Sequence, residues 1–306
     1  MSLNSVITNI SAQVALHSLN STNSQLQATQ KRISTGYRVA DATDDGAAFA
    51  VAQRVRADTG ALTTVNQQLG NASGLAQTAL AGLTSVSNNV SSAKSLLAQI
   101  GNSTNSSDQI NQYITSFKAL VSQVANTVDG STYNGQTLLG STDGSVTAAN
   151  KSVISSETGS SLTLNKEDAS TLANALANLI GLTFSRSTSG VDTFTGTSNG
   201  GNSAAASAAQ TAAVASLGSS GGLSTIQTNV ANSLNQTSAD SNLLNATISF
   251  NSSKIDALNA GLGALVDADL SKESANLQSL QIRQQLGTQA LSLANQSPQS
   301  LLSLFK

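Results

Sequence analysis

The sequence predicts a mainly α protein: a long antiparallel helical hairpin or coiled coil built from the N- and C-terminal segments, with a small mixed α/β insert at the bend. Three observations carry that expectation. Both ends of the chain, residues 1–35 and 264–306, are long, nearly proline-free tracts with apolar residues at helical spacing. The composition shifts between Val146 and Gly222 to Ser, Thr, Gly and Ala with short alternating runs. Charged residues are only 10% of the 306 residues, against about 25% in an average globular chain. A net charge of −2 supplies little repulsion between copies. A charge-poor soluble helical protein would share that composition, but apolar stripes at both termini point to self-association.

In the first tract Leu3, Ile7, Ile10 and Val14 follow a 4-3-4 spacing, and Leu16, Leu19, Leu26 and Ile33 carry the stripe onward. Such spacing places side chains on one helix face. The tract is expected to end near Gly36. A second helix is expected to start near Asp41–Asp45, where carboxylates can accept from free helix N–H groups. It runs from Ala47 to about Gln99, with Gly60, Gly70, Gly74 and Gly82 weakening it locally. A third helix covers Ile110–Val128. The Asn134-Gly135 pair between strand-prone residues signals a β-hairpin over 132–139.

In the insert, Ser161–Leu164 and Val191–Thr195 read as strands and Asp168–Leu179 as a helix, with flexible edges at Gly200-Gly201 and Gly221-Gly222. Helix returns from Leu223 to about Leu258, and Gly261 and Gly263 interrupt it before the final tract. There Leu270, Leu277 and Leu291 recur at multiples of seven, the pattern of a coiled-coil seam, and Leu280, Ile282, Leu286 and Leu293 widen the face. The expected domains are therefore 1–40 with 264–306, 41–145 with 223–263, and the insert 146–222.

Several function classes fall away. The basic residues are scattered, without a run to pair with phosphates, so nucleic acid is not an expected partner. No stretch of about 18 apolar residues occurs, so membrane insertion is not expected. The N-terminus shows no basic region followed by an apolar core, so a cleaved secretory signal is not expected either. Cysteine is absent, which excludes disulfides and thiolate metal sites. The single histidine, His17, lacks partner ligands and reads as a packed or interface residue. Asp41, Asp44, Asp45 and Gly46 lack the alternating ligands and closing Glu of a calcium loop and read as a cap. Asp267 and Asp269, followed by Lys272 and Glu273, read as surface or inter-subunit charges. No phosphate loop, zinc-protease motif or nucleophile elbow occurs, so no enzyme activity and no cofactor are expected.

Seven segments carry a family pattern: Met1–Asn9, Leu26–Ser34 (LQATQKRIS) with Thr35–Val39, Asp44–Ala52 (DDGAAFAVA), Tyr133–Leu139 (YNGQTLL), Asp267–Glu273 (DADLSKE), Leu277–Ala290 (LQSLQIRQQLGTQA) and Leu301–Lys306. They occur in order and bracket about 1–140 and 225–306. In them the chain resembles a bacterial flagellin of the short alphaproteobacterial type. The resemblance implies a structural subunit of the extracellular flagellar filament, serving motility. It implies terminal tails that pair as a coiled coil lining an inner tube and order on assembly, helices 41–145 and 223–263 in an outer tube, and an insert facing solvent. It also implies unfolded export by the flagellar type III pathway, assembly beneath a cap, and partners among sister flagellins and junction proteins. A hook–filament junction protein shares the tail pattern and is the alternative. A secreted binding module acting through its insert belongs to a different class.

Many flagellins carry an Arg/Glu-rich helix segment recognised by the innate immune flagellin receptor of animals. Here the matching stretch is Val90–Gln99, with Ser92 and Ser95 where that pattern has Arg and Glu, and only Lys94 charged. Weak or no receptor recognition is therefore expected. The Ser/Thr-rich insert is either a plain solvated domain or a carrier of O-linked glycans. The residues expected to form the assembly interface are Leu16, Leu19, Leu26 and Ile33 against Leu277, Leu280, Leu286, Leu291 and Leu293, within and between subunits.

Overall fold

A computed structural model describes residues 9–218 and 222–304. The fold class is the expected one: helices α1 (Ile10–Thr35), α2 (Gly46–Gly101), α3 (Ser107–Gly130), α4 (Leu172–Asn178), α5 (Ser203–Leu217), α6 (Gly222–Val266) and α7 (Leu270–Leu304) dominate. Strands β1 (Lys151–Ile154), β2 (Ser161–Leu164), β3 (Thr183–Arg186) and β4 (Asp192–Thr195) form two antiparallel pairs, β1–β2 and β3–β4. The chain divides into two compact units, one of residues 1–60 with 255–306 and one of residues 61–254.

In the first unit, α1 begins where the Asn9 Oδ1 accepts from the Ala12 N–H at 3.0 Å. It ends at Gly36, whose φ of +75° lets its N–H reach the Arg32 carbonyl. Leu3 and Ile7 of the expected stripe, and the motifs at Met1–Thr8 and Phe305–Lys306, lie outside the described residues. Asp45 caps α2, its Oδ1 accepting from Ala47 and Ala48 at 3.1 and 3.0 Å. A small core of Val39, Ala48, Ala52 and Val266, flanked by Phe49, Leu262 and Leu265, closes the unit around the ends of α2 and α6. The helix expected to break at Gly261 and Gly263 instead continues to Val266. A mid-helix glycine costs only about 1 kcal/mol, and packing of Leu262, Leu265 and Val266 in that core outweighs it. The final helix accordingly starts at Leu270 rather than 264. Asp269, read as a surface charge, is its cap, accepting from Ser271 and Lys272 at 3.0 and 3.1 Å.

In the second unit, α3 buries Ile110, Ile114, Phe117, Val121, Val124 and Val128 on one face and starts with a capping box between Ser106 and Gln109. That face joins Leu69, Ala76, Leu83, Val86 and Leu97 of α2 and Ile226, Val230 and Leu244 of α6 in a single core. Over 132–139 the Asn-Gly turn forms, with φ of +50° at Asn134 and +71° at Gly135, but only a Tyr133–Gln136 bridge flanks it and no strands extend from it. Leu138 and Leu139 turn into the core instead. Gly74 and Gly82, which look like helix weaknesses, are contacts: a Cβ on Gly74 would lie 2.8 Å from the Tyr133 ring and one on Gly82 2.0 Å from the Ser131 Oγ.

The β3–β4 pair is tied down by Arg186, whose side chain is 5% exposed and bonds Asp192 at 2.5 Å and Asp129 at 2.8 Å. These carboxylates, Asp192 foremost, raise the already high guanidinium pKa, and the guanidinium in turn holds the Asp192 carboxyl below its ordinary value. Sequence reading misses α5, which lies in the span taken as loosely ordered. Its run of Ala and Ser carries no large apolar periodicity, yet alanine has the best helix propensity and Asn202 caps the start. Ala205, Ala206, Ala209 and Ala213 are buried there.

Candidate assembly interface

The candidate site is the pairing of α1 with α7, both in the first unit. A short corner sets it up. The Arg38 and Val39 N–H groups donate to the Val266 carbonyl at 2.7 and 3.2 Å, and Ala268 donates to the Gly36 carbonyl at 2.9 Å. These bonds turn α1 and α7 back alongside each other. Lys31 locks the adjoining loop by bonding Asp41 at 2.6 Å and Asp44 at 3.0 Å. Its ammonium holds both carboxyls below their ordinary values, and the carboxylates raise the lysine in return.

Along the pair, polar contacts fix an antiparallel register. Asn9 donates to the Ala294 carbonyl at 2.8 Å, Gln284 to the Asn23 Oδ1 at 2.9 Å, and Arg32 to Glu273 at 3.3 Å. Between them a Cβ on Gly287 would sit 3.8 Å from the Leu19 Cβ, so the helices approach closely there. Among the less exposed positions of α1, Ala12, Ala15, Leu19, Thr22, Leu26, Thr29 and Ile33 form an unbroken 3-4 alternation, with Asn23, Lys31 and Arg32 beside it. Those of α7 are Glu273, Leu277, Leu280, Gln284, Gly287, Leu291 and Ala294, again at spacings of four and three. This is a coiled-coil seam, half of it polar or small, and its half-buried polar pairs are the kind that specify register.

The predicted interface residues divide. Leu280 is buried, and Leu19, Leu26, Ile33, Leu277 and Leu291 are half-buried in the seam. Leu16, Leu286 and Leu293 are not in it: they are 46%, 57% and 69% exposed. At 100° per residue, Ile282, Leu286 and Leu293 lie roughly 130–180° from the α7 seam, and Ile10 and Val14 occupy the corresponding outer side of α1. Each tail helix therefore carries two apolar faces, one used within the chain and one open. His17 is exposed and shares a surface groove with Arg283 and Leu286.

Sequence reading missed Ala12, Ala15, Thr22, Thr29, Glu273, Gln284 and Gly287, because small and polar seam positions carry no hydropathy signal. The seven-residue recurrence from Leu19 through Leu26 to Ile33, extended backward, marks Ala12 and could have found the rest. Among the described residues, no helix is long and apolar enough to cross a membrane.

The family model for the bacterial flagellin N-terminal helical region matches residues 6–143, and that for the C-terminal helical region matches residues 209–305. The chain is similar to flagellin FljK of Caulobacter vibrioides, 35% identical with both chains covered completely. It is 32% identical to a flagellin of Brucella melitensis, with 99% of each covered. It is 30% identical to flagellin C of Rhizobium meliloti, across 99% of this chain and all of that one.

Proposed function

The chain belongs to the bacterial flagellin family and is a structural subunit of the extracellular flagellar filament; from that premise we propose that α1 and α7 act as a two-sided adhesive pair. One face holds each subunit's tails together and the other binds the tails of neighbouring subunits. The observation that supports this is the exposure of Ile10, Val14, Ile282, Leu286 and Leu293 on helices already paired through their opposite sides. Such outward stripes need a partner to leave water, and burying one leucine contributes about 1.5–3 kcal/mol. The contact is heterologous: an outer face of one copy meets a different face of the next, so a screw operation repeats and a fibre grows instead of a closed ring.

The same reading assigns residues 1–40 and 264–306 to an inner layer, 41–145 and 223–263 to an outer layer, and 146–222 to the surface. Its partners are further copies and sister flagellins, the flagellar type III export machinery that passes the chain unfolded, and the cap and junction proteins. Recognition by the animal innate immune flagellin receptor is weak or absent, because α2 presents Ser92 and Ser95 on its exposed side with only Lys94 charged between them. Nothing in the chain or in its relatives favours the junction-protein alternative.

The test is seeded polymerisation. Purified monomer is cooled with short filament seeds and viewed by negative-stain electron microscopy. Long uniform tubes are expected, lost when residues 1–35 or 270–306 are removed. Tubes of normal length from either truncation would overturn the role assigned to the tails.

A further inference from the structure

The second unit carries an exposed stripe and a cleft that suit each other and cannot meet within one chain. On α6, Ala239, Leu243, Ala246 and Phe250 follow a 4-3-4 spacing on the face away from the core, and all are exposed. Phe250 is 65% exposed, the most exposed aromatic side chain among the described residues, and Leu243 is 49% exposed. Asp240 is buried off this line, and Lys254, one turn beyond Phe250, is paired with Glu157. The opposite face of α6 is directed at α2, where Asn66 meets Ser252 at 3.3 Å and Ser73 meets Asn245 at 3.4 Å. Phe250 therefore points roughly opposite to α2 and cannot turn back onto it.

Between α2 and β1 lies a cleft of about 430 Å³. Ala72, Leu75, Val153, Ile154 and the Tyr133 ring give it an apolar floor and wall. Its one charged lining group, Lys151, is already engaged with the Gln136 side-chain oxygen at 2.7 Å. The cleft runs along α2 from Gln68 to Leu75, seven residues and about 10.5 Å. Leu243 and Phe250 are separated by the same seven residues of helix and so by the same distance. Length and apolarity match, and the two surfaces lie on different faces of one molecule that forms a filament. A protrusion complementary to a pocket elsewhere on the same chain generates an open, non-closing series of contacts.

We propose that Leu243 and Phe250 of one subunit dock into the α2–β1 cleft of a neighbouring subunit, a lateral contact independent of the tails. The proposal rests on the filament reading, and its test separates the two. The chain has no cysteine, so introduced thiols report without background. Ala246→Cys, midway along the stripe, and Asn71→Cys, an exposed position on the cleft's rim, are made in separate proteins and copolymerised on seeds. A short bis-maleimide is then added. Cross-linked dimers are expected from the mixture and not from filaments of either variant alone. Phe250→Ala, at a site too exposed to affect folding, is expected to raise the critical concentration for polymerisation about tenfold. Filaments whose mixture cross-links no more than the single variants, or an unchanged critical concentration for Phe250→Ala, would overturn the docking while leaving the filament reading intact. Absence of tubes from the unsubstituted protein would overturn both.

Discussion

The register of the tail pair can be trapped covalently. A Cβ built on Gly287 lies 3.8 Å from the Leu19 Cβ, at the centre of the separation found in unstrained disulfides, about 3.5–4.5 Å. Leu19→Cys combined with Gly287→Cys should therefore form an intramolecular bridge under mild oxidation, with no native thiol to compete. The bridge closes a loop from residue 19 to residue 287. Loop-closure entropy for about 270 residues gives about 5–6 kcal/mol of stabilisation as an upper limit. The loss of Leu19 from the seam subtracts about 2 kcal/mol, leaving roughly 3–4 kcal/mol. In dilute monomer the oxidised protein should migrate faster on a non-reducing gel and its tails should resist protease until reductant is added. A control pair, Leu16→Cys with Gly287→Cys, puts one thiol off the seam and should bridge far more slowly. Equal bridging by both pairs, or bridging by neither in monomer or in dissolved filaments, would refute the deduced register.

The two faces of α7 predict different failures. Leu280→Asp loses about 2 kcal/mol of apolar burial and adds several more for a carboxylate held in the seam, so it should abolish polymerisation by melting the tail pair while the 61–254 unit stays folded. Leu286→Asp should change the pair's stability by no more than about 0.5 kcal/mol and still block filament growth; normal filaments from either variant, by sedimentation and microscopy, would contradict its assignment. Gly82→Ala drives a methyl into Ser131 and should destabilise the 61–254 unit by about 1–3 kcal/mol, read from thermal unfolding. Arg186→Ala strands two carboxylates and should cost about 3–5 kcal/mol, with amide exchange rising first in β3 and β4. The carboxyls of Asp41 and Asp44 are lowered in the folded chain, so their contribution is present above the ordinary value of 3.8 and lost as pH falls through the lower folded values. The amides of Ala40, Asp41 and Thr43, which donate to those carboxylates, should lose protection only in that acid range, and Lys31→Met should move the loss to higher pH.

Much of this molecule is legible in its residues. Asn9, Gly36, Asp45 and Ser106 mark helix ends because side-chain acceptors and a left-handed glycine answer needs local to a few residues. The apolar tracts of both termini identify α1 and α7 and their tendency to associate, since a helical stripe must be buried against something. Even the Asn134-Gly135 turn is readable, because its positive φ values are a local requirement.

What local chemistry leaves open is the choice among alternatives of equal local merit. Ile10 with Val14 and Leu19 with Leu26 are both helical stripes, and hydropathy ranks neither above the other. The partner helix selects the second, through the Asn23–Gln284 and Arg32–Glu273 pairs and the close approach at Gly287. The same holds for Gly261 and Gly263, which weaken a helix locally but sit within one because Leu262, Leu265 and Val266 pack against Val39, Ala48 and Ala52. At Gly82 and Gly74 the missing side chain is the space that residues 131–133 occupy, and no neighbour in sequence announces it. Caps and stripes are written within a turn or two of the chain. Seams, close approaches and open faces depend on segments tens to hundreds of residues away, so they take form only when those segments meet.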